Sequence, residues 1–242
     1  MTPVTFTVLL PVILFGAAFA SGRGAALPYE QVVCGDVEAL GATWFYNWDL
    51  VNPCPGSRAE FVPMIWSIGQ VAELRGLSAD GWLLGPNEPN YRRQAEALPE
   101  QVAAIWPALE ATGRNLASPA VSACESKYDR NCLDRYWLEK FMSACAGCRI
   151  EAVAVHWYGC DADALAAYLD RRAEQFGKPI WLTEWACPTW AGDPVQFMRE
   201  ALPMVEAKTE RNAWFATRTA GFRFFEPLID DGLTSLGETY RP

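Results

Sequence analysis

Two glutamates stand out among the residues able to do chemistry. Glu88 ends the run Trp82-Leu-Leu-Gly-Pro-Asn-Glu88, with Pro89 and Asn90 after it; Glu184 ends Ile180-Trp-Leu-Thr-Glu184, with Trp185 next. Each follows a short apolar stretch of strand character and so stands where the chain leaves a sheet. Pro89 disfavours the α conformation at Glu88. Alone, either carboxylate would serve equally well as a helix cap or a rim ion pair. As a pair in unlike settings they meet the needs of glycosidic hydrolysis. One carboxyl holds a proton for the leaving oxygen, while the other is ionised and attacks or stabilises the anomeric centre. The chain also has 11 Trp, whose flat faces suit the C–H faces of sugar rings.

The elements that must position these groups are short apolar runs alternating with amphipathic stretches. Strand character marks 43–48, 61–66, 82–85, 115–120, 152–158, 180–185 and 213–217, and 25–29 supplies a short eighth. Leu98, Val102, Ile105 and Leu109 fall at helical spacing, as do Val195, Met198, Leu202 and Val205. Asp193-Pro194 reads as an N-cap followed by a first-turn proline. Continuous apolar strands alternating with helices predict a parallel sheet covered on its outside. With eight strands it closes into a (β/α)₈ TIM barrel: an α/β fold in one compact domain, 21–242, whose catalytic groups project from the C-terminal strand ends. An open doubly wound sheet lacks support, because no Gly-rich phosphate turn follows the first strand. At 242 residues, against about 250 typical of the fold, lean helices and short loops on the non-catalytic face are expected.

Composition narrows the function classes. Twenty Lys plus Arg against 29 Asp plus Glu give a net charge of -9, a poor match for nucleic acid or anionic lipid. A single His cannot build a multi-His metal site, so no metal and no cofactor are expected. Residues 1–20 carry no charged side chain and end in Ala18-Phe19-Ala20, the pattern of a cleavable secretory leader. Export, with no membrane attachment after cleavage, is therefore expected. Eight Cys, all beyond that leader, fit a disulfide set; eight allow 105 pairings, and the local ones are Cys34–Cys54, Cys124–Cys132, Cys145–Cys148 and Cys160–Cys187. A zinc reading lacks a second C-x-x-C motif.

The order Trp44-Phe-Tyr-Asn-Trp48, Phe61-Val-Pro-Met-Ile-Trp66, Gly85-Pro-Asn-Glu-Pro-Asn90, Ala117-Ser-Pro-Ala120, Val155-His-Trp-Tyr-Gly159, Leu182-Thr-Glu-Trp185 and Asp231-Gly-Leu-Thr-Ser-Leu-Gly237 resembles glycoside hydrolase family 128. The likeness runs from about Arg23 to Tyr240. It implies a (β/α)₈ barrel with the acid/base after strand four and the nucleophile after strand seven, and endo-cleavage of β-1,3-glucan with retention. Carried over, Glu88 is the acid/base and Glu184 the nucleophile. Asn87 would bond the sugar 2-hydroxyl, and Tyr158 would orient Glu184 and help keep it ionised. His156 shares the strand face of Tyr158 and is either a substrate-binding or a hydrogen-bonded core residue. Tyr46, Trp48, Trp66 and Trp185 are expected at sugar subsites, Trp82 and Trp106 in the core, and Arg92 and Arg93 at the rim. The implied partner is a β-1,3-glucan polysaccharide or oligosaccharide acted on by a monomer. A silent glucan-binding barrel (receptor or adhesin) and a hydrolase of another β-glycan, such as mannan or cellulose, stay open. The aromatic, basic stretch 216–226 does not match the family pattern.

Overall fold

The computed structural model describes residues 22–124, 129–219 and 221–242; the leader expected at 1–20 lies outside them. Among the described residues eight parallel strands occur, β1 (Arg23–Ala26), β2 (Trp44–Tyr46), β3 (Glu60–Phe61), β4 (Trp82–Leu84), β5 (Asn115–Ala117), β6 (Val153–Tyr158), β7 (Ile180–Ala186) and β8 (Arg211–Trp214). Six pair in the order β3-β2-β1-β8-β7-β6, and β4 pairs with β5. Bridges join the two groups: Met64 with Leu84 links the continuation of β3 to β4, and Ala117 with Ala152 plus Val121 with Val155 link β5 to β6. The ladder thus closes on itself as the (β/α)₈ barrel.

Several strands are shorter than the apolar runs that contain them. Pro63 and Pro119 lack the amide that would extend β3 and β5, so the chain keeps strand direction there through single bridges. The first strand starts at Arg23 instead of 25 and ends at Ala26, because Pro28 leads into a 3₁₀ turn over Tyr29–Gln31.

The helices are α1 (Gly35–Ala39), α2 (Pro99–Glu110), α3 (Trp137–Ala144), α4 (Ala162–Phe176), α5 (Pro194–Lys208) and α6 (Ser235–Tyr240). Asp193 caps α5, accepting from the amides of Val195 (2.9 Å) and Gln196 (3.1 Å), with Pro194 in the first turn. Asp161 does the same for α4 through Ala164 N (2.9 Å). Economy shows between β2 and β3, where no helix is found, and between β3 and β4, where a 3₁₀ run (Ile68–Gly76) replaces one. Returns to the sheet are brief on the non-catalytic face: 177–179 before β7 and 209–210 before β8.

Two separate cores follow from strand alternation. Outside the sheet, Val102, Trp106 and Leu109 of α2 and Phe197, Met198, Leu202 and Val205 of α5 pack against outward strand residues. Inside, Trp44, Tyr46 and Trp181 pack against Ala26, Ala117, Ala152, Ala154 and Ala213. β2 and β7 are not neighbours, so the 5.6 Å approach of the Trp44 and Trp181 rings spans the bore. Gly24 makes room for this, since a Cβ there would lie 2.3 Å from the Trp44 ring. The floor is a guanidinium among indoles: Arg211 Cζ lies 4.4 Å from the Trp181 ring centre, 5.6 Å from Trp44 and 5.7 Å from Trp82, and pairs with Glu60 at 2.6 Å. A cation on such faces is favourable, more so where water is reduced.

Candidate active site

An irregularity in β7 aims its glutamate. Trp181 belongs to the inner core and Leu182 to the outer one, so strict alternation would turn position 184 outward. Against β6, however, Val155 pairs with Leu182 and the next pair is His156 with Glu184, leaving Thr183 as an extra residue. The register against β8 shifts in the same place, between Leu182 and Trp185. Such a bulge re-aims the side chains beyond it. Thr183 and Glu184 therefore both reach inner partners, and Trp185 turns out toward the helices.

This corrects the expectation that Trp185 serves a sugar subsite. Its ring is fully buried, 5.9 Å from Phe197 of α5 and 4.7 Å from Trp214. Tyr46 is likewise not an open sugar contact: it is fully buried, and its hydroxyl donates to the Thr183 carbonyl at 2.8 Å.

Glu88 sits beyond β4 with a positive φ of 41°, its amide donating to Ala120 O at 2.7 Å. Side-chain-bearing residues take such angles at a cost of about 1–3 kcal/mol, and they concentrate at functional sites. Asn90, buried just after it, ties this loop to the next by accepting from Ser122 N (3.0 Å) and donating to Ser122 O (2.9 Å). His156, on the inner face of β6, is wholly enclosed. Its Nδ1 lies 2.9 Å from Glu88 Oε1 and 3.4 Å from Glu184 Oε2, and its Nε2 lies 3.1 Å from Thr183 Oγ1. Glu184 is further held by Trp48, whose indole N–H donates to Oε1 at 2.7 Å, and by the Tyr158 hydroxyl, which donates to Oε2. Trp48 also has a positive φ, 59°.

One ligating atom each from Glu88, His156 and Glu184 lies within 4.8 Å of the others. Both carboxylates therefore face a common point. The same three are a potential cation-binding group among the described residues, although Trp48 and Tyr158 already donate to the two Glu184 oxygens and His156 lies against Glu88 Oε1.

The electrostatics follow from enclosure. Burial pushes the Glu184 carboxyl up, the charge on His156 opposes this, nearby Glu88 adds to it, and the bonds from Tyr158 and Trp48 draw it back down. Burial works against a charge on His156, yet Glu184 and Glu88 outweigh it and hold the ring above its ordinary pKa. Burial and the same carboxylates raise the Tyr158 and Tyr46 phenols well above 10.0, so both remain proton donors.

The remaining expected positions divide. Asn87 is buried, with Nδ2 on Gln94 Oε1 at 3.2 Å and its Oδ1 unpartnered. Trp66, half-buried, packs at the edge of the inner core. Trp106 lies in the helix layer, Trp82 rests on Trp181 (4.4 Å) toward the floor, and Arg92 and Arg93 are exposed. Phe215 was not anticipated. Its ring lies 5.8 Å from Trp48 and 5.7 Å from Tyr158, bounding the glutamate side of the site. Its position straight after β8 was the available signal. All four local cysteine pairings occur: Cys34–Cys54, Cys124–Cys132, Cys145–Cys148 and Cys160–Cys187.

Comparison with known proteins adds to this geometry. Residues 24–240 match the family model described as glycosyl hydrolase catalytic core. A crystal structure of a glycoside hydrolase family 128 (subgroup I) endo-β-1,3-glucanase from Amycolatopsis mediterranei, in complex with laminaritriose, is 30% identical; the match has a TM-score of 0.78 and covers 92% of this chain and 99% of that one. A subgroup II endo-β-1,3-glucanase of the same family from Sorangium cellulosum is also 30% identical, with a TM-score of 0.75 and coverage of 91% and 98%. Alkali-sensitive linkage protein 1 of Schizosaccharomyces pombe is 32% identical over 83% of this chain, which spans 40% of that protein's length.

Proposed function

The chain belongs to the glycosyl hydrolase catalytic-core family and, within it, to glycoside hydrolase family 128; on that premise we propose that it is an endo-β-1,3-glucanase working by double displacement with Glu88 and Glu184. The observation that carries the reading is the enclosed Glu88–His156–Glu184 group, with one ligating atom from each within 4.8 Å of the others. Carboxyls about 5–5.5 Å apart leave room for direct attack on the sugar, whereas inversion needs about 6.5–9.5 Å to admit a water between. The family 128 endo-β-1,3-glucanase from Amycolatopsis mediterranei, whose structures hold laminaritriose and laminaripentaose, supports β-1,3-glucan as the substrate.

Glu88 gives its proton to the glycosidic oxygen as Glu184 attacks the anomeric carbon. The resulting glycosyl ester neutralises Glu184 and leaves Glu88 ionised. Glu88 then takes a proton from water, whose oxygen displaces Glu184 and releases product of retained configuration. His156 lies between the two carboxylates, so its Nδ1 can face whichever is charged at each stage. Tyr158 and Trp48 keep the nucleophile's oxygens in place. The free Asn87 Oδ1 is suited to accept from a sugar hydroxyl. Charge stabilisation and positioning are provided by the chain's own groups.

We also infer export, supported by four disulfides and by the leader expected at 1–20. No described helix is long and apolar enough to cross a membrane.

Azide rescue tests the two roles with an activated β-glucoside. Glu184→Ala should yield the α-glycosyl azide and Glu88→Ala the β-glycosyl azide, resolved by NMR. Exchanged anomers would reverse the assignment, and rescue of neither with full activity retained would remove both residues from the chemistry. Laminarin should be cleaved by the wild type in preference to mannan and cellulose, and a reversed order would overturn the substrate.

A further inference from the structure

Rings at the end of β8 and just after it form an aromatic path leading away from the site. Phe215 touches Trp48 and Tyr158 on one side. On the other, its ring lies 5.3 Å from Phe222 and 5.4 Å from Phe225, and Phe225 lies 5.3 Å from Tyr158. Phe222 then opens to solvent at 51% exposure, with Phe224 at 49% and Trp190 at 74%. The loops carrying these residues are joined, since Thr189 N donates to Phe224 O at 2.9 Å.

These exposed rings stand on fixed supports. The loop bearing Trp190 is tied at its base by Cys160–Cys187 and turned by Ala191 N donating to Pro188 O at 2.8 Å. Gly192 presses against the same disulfide, where a Cβ would meet Cys160 Cβ at 3.0 Å. Phe225 N donates to Phe222 O at 2.9 Å, and Leu228 N to Ala216 O at 3.2 Å, so the Phe-rich stretch is folded back on itself. Arg223 Cζ lies 5.2 Å from the Phe224 ring centre. Large apolar rings held in water on braced loops suit a flat apolar ligand and need little ordering when it arrives.

From this continuity we propose that Trp190 and Phe224, reached through Phe222 and Phe215, form an outlying platform for a β-1,3-glucan chain that extends beyond the catalytic cleft. The proposal rests on the glucanase reading and adds to it a preference for long chains. Glucose rings offer C–H faces to such aromatics, and a polymer that crosses the site has further rings to place. A short oligosaccharide confined to the cleft does not reach them.

The test compares the wild type with Trp190→Ala/Phe224→Ala, two exposed positions whose loss leaves the barrel packing intact. On long laminarin the KM should rise, and retention on insoluble curdlan fall, by about threefold to tenfold per ring removed. On laminaritetraose kcat/KM should be unchanged. Equal losses on short and long substrates, or none on either, would overturn the platform. Binding is checked separately with Glu184→Gln, which should be retained on curdlan more strongly than the triple variant. If the wild type cleaves no β-1,3-glucan, the glucanase reading fails on that result alone, while the curdlan comparison still decides the platform. A wild type that self-associates through the patch in sizing experiments, with glucan retention unaffected by the substitutions, would assign it to a second copy and overturn the proposal.

Discussion

His156 governs the charge balance of the site. It has no solvent contact and lies within 2.9 Å and 3.4 Å of the two carboxylates. Its charge lowers the Glu184 pKa against the rise caused by burial. On the proposed mechanism Glu184 attacks in its ionised form, so the acidic limb of the pH–rate profile should report it. His156→Gln removes the compensating charge. The acidic limb of kcat/KM should then move to higher pH, and kcat should fall by about tenfold to a hundredfold, the worth of one hydrogen bond to a charged group. A limb that stays put or moves to lower pH would show that the ring does not control Glu184. That the two glutamates and Tyr158 stand together at strand ends is legible in the sequence, because residue type and strand-end position agree. The role of His156 was not, because one histidine on an inward strand face reads the same whether it meets carboxylates or an ordinary core acceptor.

Among the elements, β7 separates what alternation predicts from what the chain does. The run 180–185 announces a strand, and a strand is present, but no pattern in Ile-Trp-Leu-Thr-Glu-Trp reveals that Thr183 is unpaired. A slip of one residue reverses every side chain beyond it. For that reason Glu184 meets inner partners, as its strand-end position predicts, whereas Trp185, one residue later, turns into the outer core. Helix boundaries were easier to read where side chains cap them. Asp193-Pro194 is the start of α5 because the aspartate carboxylate accepts from first-turn amides that have no helical partner, and the proline has no N–H to leave unpaired. Asp193→Ala should lower unfolding stability by about 1 kcal/mol, measured by urea titration. A change near zero would mean that the cap geometry contributes nothing in solution. The disulfides act at the same scale. Cys160–Cys187 joins the segments leaving β6 and β7, which carry Tyr158 and Glu184. Replacing both cysteines by Ala should cost about 2–4 kcal/mol. Activity should fall while far-UV circular dichroism remains that of the folded barrel, and unaltered activity would separate the bond from the site.

For the molecule as a whole, the tryptophans are distributed by layer. Trp44, Trp82 and Trp181 fill the inside toward the floor; Trp106, Trp137, Trp157, Trp185 and Trp214 lie in the layer between sheet and helices; Trp48 and Trp66 border the mouth; and Trp190 stands in solvent. Composition revealed their abundance but not this division, which depends on which way each strand faces. The economy expected of a short barrel is visible in the missing helix after β2 and the 3₁₀ run after β3. The floor built from Arg211 and three indoles has a consequence for traffic. It closes one end of the barrel, so substrate, water and product share a single doorway. A polymer cannot be threaded through such a vessel and must lie across its rim. A bond in the middle of a strand of glucan is then as accessible as one near its tip.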